Sequence, residues 1–152
     1  MSVYARCETR YCLPSVLIVW LALTFLQGTA WSAEGEKLAI KGYDPVAYFT
    51  KGAAERGKRE FSFKWQGREW LFENREHVKL FKAAPTRYAP RYGGFCAAGV
   101  SQGFKVEPDP EQWKIVDGKL FLFFDRASLT DFAKSPKDKI KLADKHWRQF
   151  RK

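Results

Sequence analysis

From Phe61 to Phe72 the stretch "FSFKWQGREWLF" alternates large apolar and polar side chains with the two-residue period of a β-strand, reversing at Gln66-Gly67. A turn there pairs Trp65 with Arg68, Lys64 with Glu69, Phe63 with Trp70 and Phe61 with Phe72. One face of the hairpin then carries aromatic pairs and the other an opposite-charge pair, each worth ~0.2–1 kcal/mol. "WKIVDGKLFLFF", Trp113 to Phe124, repeats the device around Asp117-Gly118, a dipeptide suited to the type I′ turn. Trp113, Ile115, Leu120 and Leu122 share one face of it, and Phe121 and Phe123 the other. A strand pair apolar on both faces belongs at the centre of a fold.

Helical spacing appears after each hairpin. Asn74 is a fit N-cap for "REHVKLFKA", whose Val78, Leu80 and Phe81 lay an apolar face on the first hairpin, and Pro85 stops or bends that helix. Asp125 caps a second helix through Ala133. Pro136 then opens a third, in which Ile140, Ala143, Trp147 and Phe150 form an apolar stripe. Between these regions "LAIKGYDPVAYF" (Leu38 to Phe49) is apolar, with Asp44-Pro45 forcing extended or turn geometry. "KGAAERGK" is a loop, and "TRYAPRYGGFCAAGVSQG", with Pro90 and four glycines, is expected to be an ordered loop. No internal repeat, low-complexity tract or long linker is visible. The pattern predicts an α+β fold, a small antiparallel sheet of two hairpins with a short helix and a C-terminal amphipathic helix packed on it.

The first thirty residues change this picture because they have the layout of an export signal. Arg6 and Arg10 precede the apolar core Leu13 to Leu26, and "QGTAWSA" supplies small residues for cleavage after Ala30 or Ser32. The apolar run is shorter than the ~20 residues that span a bilayer. Residues 1–30 are thus expected to be a signal peptide and 31–152 a single domain, exported to the periplasm or cell envelope. Of three cysteines, Cys7 and Cys12 leave with the leader and Cys96 remains alone, so no intramolecular disulfide forms. The formal net charge of +10 is spread over scattered lysines. Export argues against nucleic acid as a partner and leaves a solvated basic surface or peripheral contact with an anionic membrane.

No nucleotide-binding loop, zinc-ligand cluster or Ser/His/Asp arrangement stands out, and only His77 and His146 offer imidazole. Cys96 is therefore the candidate catalytic or metal-binding group. Gly93 and Gly94 let backbone amides come close to a thiolate or a substrate, and Tyr92, Phe95, Tyr43 and Tyr88 either wall a pocket around it or belong to the core. A free cysteine is equally at home as a small buried hydrophobe.

"GYDPVAYF", "REWLFENREHVKLFKAAPTRYAPRYGGFCA" and "WKIVDGKLFLFF" resemble exported members of the YHS domain family over roughly residues 38–147. The family resembles metal-binding modules with cysteines after "DPV" and "YYF". Here the matching positions hold Ala47 and Glu73, with His77 four residues later, so the resemblance implies at most a copper or zinc ion on Glu73, His77 and Cys96. Alternatively, His77 is a surface residue beside Asn74 and Glu76. The exported branch includes members with selenocysteine at the position of Cys96, which implies redox or nucleophilic chemistry there. The expected function is thiol redox chemistry or soft-metal handling, with a small molecule or a thiol protein as partner. The alternative is a binding module, for a metal ion or a partner protein, with Cys96 structural.

Overall fold

Two tight turns organise the chain. Gln66 and Gly67 at φ 50° and 69°, and Asp117 and Gly118 at φ 49° and 69°, supply the left-handed pairs that two-residue hairpins need. A computed structural model of the protein describes residues 37–151; the expected leader, with Cys7 and Cys12, lies outside the described residues. β1 (Lys58–Trp65) and β2 (Arg68–Phe72) form the first hairpin, and β3 (Asp109–Val116) and β4 (Lys119–Phe123) the second. The elements are those of an α+β fold, with each hairpin a separate two-stranded sheet. The register is as expected for Trp65–Arg68, Lys64–Glu69 and Phe63–Trp70. It then slips at a bulge between Lys58 and Ser62, which sets Lys58 rather than Phe61 opposite Phe72.

The helices are α1 (Ala47–Thr50), α2 (Arg75–Ala83), α3 (Pro85–Tyr88), α4 (Ala97–Ser101), α5 (Arg126–Lys134) and α6 (Pro136–Phe150). Pro85 thus begins a further helix as well as ending α2. The expected loop around Cys96 is largely α3, a 3-10 turn at Arg91–Gly94, and α4. Helices of four or five residues bury too little of any face to show a period in the sequence. Leu120 and Leu122 join Tyr48, Trp70, Phe72 and Phe81 in one core. Phe121 and Phe123 join Tyr92, Cys96, Val100 and Phe132 in another, on which Ile140, Ala143, Trp147 and Phe150 of α6 also pack. The β3–β4 hairpin is central because its two faces belong to two cores.

The structure also overturns the expectation of no internal repeat: residues 39–88 and 91–139 follow one plan. Each begins with a 3-10 turn containing left-handed residues (Ile40, Lys41 and Gly42; Tyr92, Gly93 and Gly94), followed by a short helix. Each continues into a hairpin with its bulge at the same place, Lys58/Ser62 and Asp109/Trp113. Each hairpin leads to a helix capped by Asn74 or Asp125, whose side chain accepts from the amide three residues on. That helix ends at a matching kink, Ala84 at φ −147°, ψ 66° and Ser135 at φ −146°, ψ 65°, before Pro85 or Pro136. Gly67/Gly118, Leu71/Leu122, Phe72/Phe123, Arg75/Arg126 and Phe81/Phe132 are identical pairs. Elsewhere the copies diverge because the first hairpin exposes a charged face and the second is apolar on both.

Candidate metal centre

Asp44 is 0 % exposed, in the turn before α1. A buried carboxylate is tolerated only when its lone pairs are occupied. Its Oδ1 accepts from the Val46 amide at 2.8 Å and the Ala47 amide at 3.4 Å. Its Oδ2 accepts from the Glu73 amide at 2.8 Å and lies 2.6 Å from His77 Nδ1. The turn before α1 is thereby tied to the end of β2 and the start of α2.

His77 sits at the third position of α2, where the Asn74 cap fixes the first turn. It is 7 % exposed, so its ring is buried against Asp44 and the surface alternative is overturned. A nitrogen facing a carboxylate at that distance carries the proton, which leaves Nε2 directed at Thr50 Oγ1, 3.3 Å away. The Thr50 hydroxyl is also 3.1 Å from the Val46 carbonyl, to which it donates.

Glu73 completes the group. Its Oε1 accepts from Lys51 Nζ at 2.6 Å, and that hydrogen bond holds its carboxyl below the ordinary carboxylate range. Its Oε2 is buried and has no hydrogen-bond partner among the described residues. Asp44, Glu73 and His77 each offer one ligand atom within 4.8 Å of the others, the one such group among the described residues. Of the residues expected to bind metal, the structure brings Glu73 and His77 together and adds Asp44. That residue reads in the sequence only as a turn-former; the signal for more is an acid inside the apolar run "GYDPVAYF".

Cys96 lies elsewhere, in the second core and 1 % exposed. Its amide donates to the Val106 carbonyl at 2.9 Å, and its sulfur accepts from the Gly99 amide at 3.4 Å, capping α4. It is the counterpart of Asp44, whose amide donates to the Glu55 carbonyl at 2.8 Å. Gly93 and Gly94, at φ 60° and 85°, shape the turn ahead of it, and a side chain at Gly93 would meet Trp147 at 3.2 Å. Tyr92 and Phe95 accompany Cys96 in the second core. The Tyr92 hydroxyl donates to Asp144 at 3.1 Å, and burial raises its pKa. Tyr43 and Tyr88 belong to the first core, and the Tyr43 hydroxyl donates to Glu111.

The counterparts of Glu73 and His77 in the second repeat are Phe124 and Ser128. The same turn, hairpin and capped helix therefore form with Cys96, Phe124 and Ser128 in place of Asp44, Glu73 and His77. The polar trio is not what this backbone requires. Compared with known proteins, the chain matches no family model, no curated protein and no solved structure.

Proposed function

We propose that the protein is an exported module of the YHS type that binds a divalent metal ion through Asp44, Glu73 and His77, with Cys96 serving as packing in the second repeat. The observation that carries this is Glu73 Oε2, a buried carboxylate oxygen without a partner, beside a buried imidazole and a second carboxylate. The second repeat supports it, since that copy of the scaffold forms without these donors. Two carboxylates and one imidazole suit zinc, whereas copper(I) favours the sulfur ligands absent from the trio. Asp44 has no lone pair to spare, so a cation bound there takes the place of the proton on His77 Nδ1, and that proton moves to Nε2, which then donates to Thr50 Oγ1. Lys51 leaves Glu73 Oε2 free while keeping the carboxylate ionised.

The test is thermal unfolding of the purified chain with zinc and with a chelator. Zinc at a hundredfold excess over Kd adds about 2.7 kcal/mol to the native state. Glu73→Gln and His77→Ala are expected to lose that gain, and Cys96→Ser to keep it. A native chain indifferent to zinc, or a gain that disappears with Cys96→Ser, overturns the proposal.

A further inference from the structure

Lys105, on the loop between α4 and β3, places its ammonium among three aromatic rings. Nζ lies 5.8 Å from the Phe95 centroid, 5.8 Å from that of Trp147 and 4.9 Å from that of Phe150. The rings stand around a common centre, with Phe95 and Trp147 centroids 6.3 Å apart and Trp147 and Phe150 centroids 6.2 Å apart. The other cation–ring contacts among the described residues, such as Arg56 on Tyr43 and Lys82 on Phe63, each use a single ring. Lys105 makes no ion pair among the described residues. Among the described residues the ammonium is held by ring faces and by no carboxylate within ion-pair distance. All three rings are half-buried and Lys105 is exposed, so the cluster opens to solvent.

We infer that Phe95, Trp147 and Phe150 form a binding site for an organic cation of the quaternary-ammonium class, in which Lys105 is the resident occupant. A cluster of ring faces attracts positive charge through the ring quadrupoles and gives an alkylated nitrogen apolar contact besides. A lysine ammonium is compact and strongly hydrated, so it gives up more water on entering than a methylated nitrogen does. Its hold at exposed rings is weak, worth about fivefold in occupancy. It competes because it is tethered beside the rings and its entry is intramolecular. The site is independent of Asp44, Glu73 and His77 and of any metal they bind.

Tetramethylammonium chloride, titrated against sodium chloride at matched ionic strength while the indole NMR signal of Trp147 is followed, tests this. Saturable shifts are expected in both the native chain and Lys105→Ala, about fivefold tighter in the variant because the tethered competitor is gone. Trp147→Leu added to Lys105→Ala, read from the ring signals of Phe95 and Phe150, is expected to abolish binding. Because Trp147 also packs on the second core, Phe150→Leu in the last turn of α6 is run beside it, read from Trp147, and is expected to weaken binding. Choline and phosphatidylcholine vesicles form separate arms: saturation by choline identifies a soluble ligand, and Trp147-dependent cosedimentation a lipid headgroup. Absence of saturable binding in Lys105→Ala, equal affinity with and without Lys105, or binding untouched by either ring substitution overturns the inference.

Discussion

Asp44 and Cys96 occupy the same place in two copies of one backbone, and their surroundings make opposite demands. Asp44 receives four donors, so Asp44→Ala leaves the Glu73 amide and the His77 ring facing an empty site; the expected cost is about 3–5 kcal/mol in urea unfolding. Cys96 receives one weak donor and apolar neighbours. Cys96→Ser is expected to cost about 1–3 kcal/mol through burial of a hydroxyl, and an alkylating reagent should reach the native thiol only as the protein opens. Fast labelling of the native protein would show the thiol to be accessible after all. Glu73 sets a pH dependence of known sign. Its folded pKa lies below its ordinary value of 4.5, so the stability from its pairing with Lys51 is present above that value and lost as pH falls through the folded one. Lys51→Met is expected to remove that acid-side slope, and salt to shrink it in the native chain, both read from unfolding midpoints between about pH 5 and 3.

At the scale of elements, the first hairpin does with Gln66 what the second does with Asp117. Both stand in the left-handed region, which a short polar side chain tolerates better than a glutamine. Gln66→Asn is expected to stabilise the protein by about 0.5–1 kcal/mol in denaturant, with the fold unchanged. Both hairpins and the helices α2, α5 and α6 were legible in the sequence, because turn dipeptides, caps and apolar periods are local signals. The bulge that displaces Phe61 was not, since no residue type marks it. Nor were α3 and α4, and the 3-10 turns were hidden because Ile40 and Tyr92 adopt left-handed angles that neither residue advertises. Of the candidate site, Glu73 and His77 were legible from the family resemblance. Their union with Asp44 needed the fold, which joins residues far apart along the chain.

For the whole molecule, the alternation along β4 decides how stability is shared. Leu120 and Leu122 face one core and Phe121 and Phe123 the other, so neither core is complete without the second hairpin. Leu122→Ala is expected to cost about 2–5 kcal/mol and to lower the unfolding of both cores together, with tryptophan fluorescence and far-UV circular dichroism giving one midpoint. Two separated transitions would show that the cores melt independently. The repeat also separates shape from chemistry. One backbone plan holds sulfur and aromatic carbon at its turn in one half and two acids and an imidazole in the other, so what the pocket can bind is set by three side chains and not by the frame that carries them.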